Sequence, residues 1–210
     1  MRRLLQLAAL FAALSAASVA RAQTVVDRVV AHIEDDILCL SELRELGQFQ
    51  QLAGGESESD DKLLDRLVDQ WIVKTEADSA HFPLPGDADV DRQIEHLQQQ
   101  LASVEAFEKH LRETGLTMPQ LRRIVAQQLY LTRYLDYKFR PAVRVEPAEV
   151  EAYYRQTLVP QLAARGEAAP TLDAVDERIR EVLVERGINE LADRWLAESR
   201  AHLHIERNLK

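Results

Sequence analysis

Tyr130, Tyr134 and Tyr137 recur at i, i+4 and i+7 in a stretch with helical periodicity, so their rings fall on one side of a helix. A tyrosine brings large apolar area, little rotamer entropy and a polar tip, which suits recognition of varied surfaces better than catalysis. Phe107 is a candidate neighbour. These four residues are the candidate substrate-binding set, and packing of the tyrosines against a later helix is the competing reading. No catalytic set emerges. The chain has no G-x-S-x-G, phosphate loop or dinucleotide fingerprint, and its carboxylates fall mostly at helical surface spacing. Asp87, Asp89 and Asp91 resemble the opening of a calcium loop, but Arg92 stands where that loop needs Gly and Gln98 where it needs Glu. A helix start explains the three acids better. The histidines form no H-E-x-x-H and no zinc spacing, so neither a metal nor a cofactor is expected. A solvated strand face is the reading for His202 and His204, with a metal site beside His32 as the alternative.

The elements that must position these residues are mainly helical. Val25 to Ile33 alternates as a strand, Glu34-Asp35-Asp36 is a turn, and Ile37 to Leu40 is a second short strand. Ser41 is the expected N-cap of a helix running to about Leu52, stopped by Gly54-Gly55. Ser57 or Ser59 caps the next helix, whose stripe is Leu63, Leu64, Leu67, Val68, Trp71 and Ile72. Pro83 and Pro85 end it. A helix opens at Asp87 with the row Ile94, Leu97, Leu101; another begins near Val104 and closes at Gly115. Thr117-Met118-Pro119-Gln120 is a helix start leading to about Lys138. Arg140 to Val145 reads as extended, Glu146-Pro147 as a helix start, Pro160 as a disturbance, and Arg165 to Pro170 as a loop. Thr171 caps the last long helix, where Gly187 predicts a bend or a break. His202 to Glu206 alternates and is expected to pair with the opening hairpin, because an isolated hairpin is marginal in water.

Residues 1–22 have Arg2-Arg3, an alanine-rich apolar run and an Ala20-Arg21-Ala22 end, the parts of a cleavable secretory signal. An uncleaved anchor is the alternative, but the run is short for a span. Loss of this segment removes three arginines and no acid, taking the net charge from −9 to −12. So acidic a chain lacks the basic footprint that nucleic acid or an anionic membrane surface requires. With 46% hydrophobic and 29% charged residues, the composition is that of a globular protein. Cys39 is the single cysteine, which excludes an intrachain disulfide and reads as a small buried hydrophobe.

The order of four segments resembles a known family. VVDRVVAHIEDDILCLSEL, LLDRLVDQWIVKTEAD, DVDRQIEHL and GLTMPQLRRIVAQQLYLTRYL are similar, in sequence order, to the N-terminal chaperone domain of the SurA-like periplasmic parvulin-type peptidyl-prolyl isomerases. VEPAEVEAYYRQ resembles the family's lead into its parvulin domain, and DAVDERIREVLVERGINELADRWLAESRAHLHIE its returning C-terminal helix and strand. The individual motifs are loose, and their order carries the likeness. The interval between Val159 and Thr171, where a parvulin domain would sit, is PQLAARGEAAP. That is too short for any domain, so family catalytic residues have no position here.

The expectation is therefore a mainly α fold: a helical chaperone core with a small antiparallel sheet made by the N-terminal hairpin and a C-terminal strand. Residues 1–22 would be the signal, 23–145 the SurA-like domain, and 146–210 a helical extension returning to the hairpin. The resemblance implies an ATP-independent periplasmic chaperone for unfolded outer-membrane or secreted polypeptides. It would have no stable membrane insertion after cleavage, and homodimerisation is left open. A prolyl isomerase with residual or partner-supplied activity and a dedicated assembly subunit are the alternatives.

Overall fold

The computed structural model describes residues 27–101 and 103–209. The signal-like segment 1–22, Val25 and Val26 lie outside the described residues. Strand β1 (Val29–Ile33) and strand β2 (Asp36–Cys39) form the expected hairpin. Glu34, at φ 50°, and Asp35 make its turn, so Asp36 belongs to the second strand. Simple alternation along β1 fails. Val29 pairs with Cys39 but Ala31 with Leu38, so Val30 is an extra residue in the ladder. This bulge turns both Val30 and Ala31 into the core, beside Ile33.

Helix α1 (Leu40–Leu52) follows without a loop. Its N-cap is Cys39, two residues before the expected Ser41, because the strand runs straight into the first turn. The Glu42 carboxylate accepts from the Cys39 N–H at 2.7 Å, and the Ser41 hydroxyl donates instead to Asp27. Cys39 is half-buried, and burial pushes its thiol pKa up. Ser59 stands at the N-cap position of α2 (Asp60–Ser79) without a side-chain capping bond, and the helix buries Leu63, Leu64, Leu67, Val68 and Ile72 as its stripe predicts, with Val73 and Ala77 besides. Trp71 is only partly buried, its indole N–H donating to Asp36 at 2.9 Å.

Helix α3 (Asp87–Gln99) buries Val90 and Ile94. Leu97 and Leu101 pack from its margin, half-buried. Helix α4 (Val104–Thr114) ends at Gly115, whose φ of 80° is the left-handed geometry that glycine adopts without strain. Helix α5 (Met118–Phe139) has the expected capping box, with the Gln120 N–H donating to the Thr117 hydroxyl and the Thr117 N–H to the Gln120 side chain. Of Arg140 to Val145, the first three residues form a 3-10 turn and only the remainder is non-helical.

Helix α6 (Pro147–Tyr153) is followed by a π-turn at Tyr154–Leu158 and then α7 (Val159–Ala164). Proline has no N–H and its ring crowds the preceding turn; a widened turn before Pro160 lets the chain stay helical. After the loop 165–171, α8 (Leu172–Ala201) runs for 30 residues without a break at Gly187. A Cβ at Gly187 would sit 2.7 Å from Val143 Cγ1, so the glycine permits close packing of the 142–145 segment. Strand β3 is Ile205–Arg207, starting three residues later than expected and ending one later, because α8 extends through Ala201. It pairs antiparallel with β1, Ile33 opposite Ile205, giving the order β2-β1-β3. The fold is thus mainly α with a small sheet closed by both ends of the described chain.

Two apolar clusters hold it. One joins the sheet to α1, α2, α5 and Leu196 of α8. The other joins Leu52, α3, α4, Leu116 and the first half of α5. Helix α5 therefore belongs to both.

Candidate polypeptide-binding surface

The tyrosine face is mostly interior. Tyr130 is 4% exposed, Tyr134 3% and Phe107 1%, whereas Tyr137 is 66% exposed. The cover is Phe82, from the chain reversal after α2. Its ring centroid lies 5.8 Å from Tyr130, 5.4 Å from Tyr134 and 5.4 Å from Tyr137. The Tyr130 hydroxyl donates to Asp78 at 2.8 Å. Burial and then that bond push its pKa up to about 12, while burial raises Tyr134 as well. Phe107 lies in the second cluster, away from the tyrosines, which belong to the first. In this structure Tyr130, Tyr134 and Phe107 are therefore buried, and Tyr137 alone of the four is exposed, with one side of its ring against Phe82. The i, i+4, i+7 spacing identifies a face, but Phe82, in the segment after α2, rests on it.

His202 and His204 do not share a strand face. His202 terminates α8 with its Nδ1 2.7 Å from the Glu198 carbonyl, and His204 precedes β3 with its Nε2 3.1 Å from Glu206. No group of three or more His, Cys, Asp or Glu among the described residues could hold a metal ion. No helix among the described residues is long and apolar enough to cross a membrane.

Two grooves elsewhere on the surface are lined mainly by apolar side chains. The first, of about 340 Å³, runs between α1, α3 and α5. Phe49, Leu97, Val125 and Leu129 make its floor, and Gln93, Gln128 and Thr132 its polar edge. The second, of about 440 Å³, is enclosed by α6, the π-turn, α7 and the first half of α8. Tyr153, Leu158, Leu162, Val175, Ile179 and Val182 line it, with Pro170 at one end and Glu167 and Arg178 among its polar residues. Of these only Ile179 is buried; the others are half-buried or exposed. The Tyr154 hydroxyl donates to the Pro170 carbonyl at 2.8 Å and clasps the loop to the π-turn. This arm thus holds two apolar rows apart without filling the space between them.

Such a groove offers area and little direction. An apolar side chain entering it gains about 1.5–3 kcal/mol on full burial. The residues that form it are legible in the sequence as helical apolar positions. Their failure to close on each other depends on how α7 stands against α8, which helical periodicity does not encode.

The chain matches no protein-family model and no curated protein.

Proposed function

We propose that the chain is an ATP-independent periplasmic holdase for unfolded outer-membrane or secreted polypeptides, a SurA-like core without an isomerase module. The observation that carries this reading is the unfilled groove of the α6–α8 arm. Several half-buried apolar residues are held there on a clasped helical frame, ready to cover apolar stretches of a client. Binding the unfolded state through many weak apolar contacts removes it from aggregation and requires no nucleotide. The strong negative charge keeps the chaperone soluble when it is loaded with apolar client. The loop 165–171 joins α7 to α8 directly, at the place where the resembling family carries its catalytic domain.

Light scattering of a urea-denatured outer-membrane barrel, diluted with and without the protein, tests the reading. Suppression at near-stoichiometric ratio without nucleotide is expected, and Leu162→Glu with Val182→Glu is expected to abolish it while far-UV circular dichroism is kept. No suppression by the wild-type chain would sink the general holdase. Clear turnover of a proline peptide would move the assignment to an isomerase.

A further inference from the structure

Helix α8 carries Arg186, Glu190 and Arg194 at i, i+4 and i+8, flanked by Leu183, Gly187 and Leu191 on the neighbouring row. Because Gly187 has no side chain, Val143 lies directly against the helix. This close approach brings Arg144 to the same pocket as Arg186 and Arg194, an opening of about 390 Å³ with Val143, Val145, Leu183 and Leu191 among its walls. Other arginines of these elements are paired, Arg140 with Asp136 and Glu181, Arg180 with Asp176 and Arg200 with Asp69, while Arg178, which has no ion pair either, lies at the other groove. Arg144, Arg186 and Arg194 form no ion pair among the described residues, although the chain as a whole is strongly acidic.

The pocket's two acids do not neutralise them. Glu149 accepts the Glu146 N–H at 2.7 Å and serves as the cap of α6. Glu190 bonds Arg194 only through its main-chain oxygen, at 3.2 Å from Nε, which leaves the terminal nitrogens of Arg194 free. Arg186 stands over the Tyr153 ring at 5.5 Å, an arrangement that holds the guanidinium in place without discharging it.

We propose that this pocket binds a carboxylate, specifically the chain-terminal carboxylate of a polypeptide. Planar guanidinium forks match a carboxylate in two-point contact, and the apolar walls would take the side chain next to it. A free phosphate presents the same oxyanion chemistry without an apolar neighbour. The inference rests on the polypeptide-binding reading and adds a chain-end preference to it.

Fluorescence anisotropy of the full chain with a labelled peptide ending in leucine tests this, comparing the free acid with its C-terminal amide. The acid is expected to bind about tenfold more tightly. In the Arg186→Gln, Arg194→Gln double variant the acid should bind as weakly as the amide, with unchanged circular dichroism. Equal binding of acid and amide, no binding of either, or a preference that survives the double variant would overturn the proposal. Displacement of the peptide acid by inorganic phosphate at lower concentration than by acetyl-leucine would also overturn it, in favour of a phosphate site. The Arg194→Gln single variant, which leaves Arg186 on the Tyr153 ring, is expected to weaken the acid preference and to keep the suppression of barrel aggregation, since that rests on the arm groove. A failed chain-end preference with intact suppression therefore separates this inference from the holdase reading.

Discussion

Arg200 near the end of α8 grips Asp69 in the middle of α2 through two nitrogens, its Nε donating to Oδ1 at 2.6 Å and its Nη2 to Oδ2. The pair ties the returning helix to the core and so fixes where β3 meets the hairpin. Burial draws the Asp69 carboxyl toward its neutral form and outweighs the guanidinium, whose own charge the contact favours. Arg200→Met should cost about 1–2 kcal/mol at neutral pH, less than a fully buried pair because both partners are partly solvated. Asp69's folded pKa lies above its unfolded value, so the stability tied to this group rises as pH falls through that range. The Arg200→Met penalty should therefore shrink on mild acidification, read by urea titration at a series of pH values. A penalty that grows instead would contradict the assignment.

Glu58 and Asp89 behave oppositely. The Arg66 side chain, then Gln50, holds Glu58 at about 2, and Arg133, with Arg92, holds Asp89 at about 2. Both folded values lie below the unfolded ones, so their contribution is complete above pH 4.5 and is lost as pH falls toward 2. Carboxyl carbon chemical shifts should show both midpoints near 2. Arg66→Ala should return Glu58 toward an ordinary glutamate and leave Asp89 unchanged.

Gly187→Ala would stabilise an exposed helix by about 1 kcal/mol. Here the new methyl meets Val143 Cγ1 at 2.7 Å and Cγ2 at 3.1 Å. The expected result is a loss of about 1–3 kcal/mol. Adding Val143→Ala should recover most of it. The double-mutant cycle, by thermal or urea unfolding, checks the coupling; additive losses would show that Val143 is not the obstacle.

The tyrosines should separate by burial. Tyr134→Ala is expected to cost about 3–5 kcal/mol, as for other buried aromatic truncations. Tyr130→Phe removes only the bond to Asp78 and should cost about 1 kcal/mol. Tyr137→Ala, at an exposed ring, should stay within about 0.5 kcal/mol of wild type. A triple alanine variant would report on folding rather than on client binding, so Tyr137→Ala alone is the informative change for the latter.

The sequence by itself determined which stretches become helices, because periodicity, caps and breakers are local. Thr117 with Gln120, Ser59, Gly115 and the prolines after α2 stand where those signals put them. It also determined that a terminal strand closes the hairpin, since exposed alternation in a lone strand pair has to find a partner. Tertiary structure decided the rest. The bulge at Val30 broke the expected alternation of β1, placing two neighbouring side chains, Val30 and Ala31, in the core together. Phe82 covered Tyr130 and Tyr134, a contact made by a chain reversal that periodicity cannot place. The π-turn carried the chain on in helical form to Pro160, and the packing of α6 and α7 beside α8 left the arm groove open. Gly187 looked like a weak point along one helix, and only the passage of Val143 beside it makes it a packing requirement. Local signals choose elements because they act within a turn or two; which faces meet is settled by long-range burial, and the open surfaces are what that settlement leaves over.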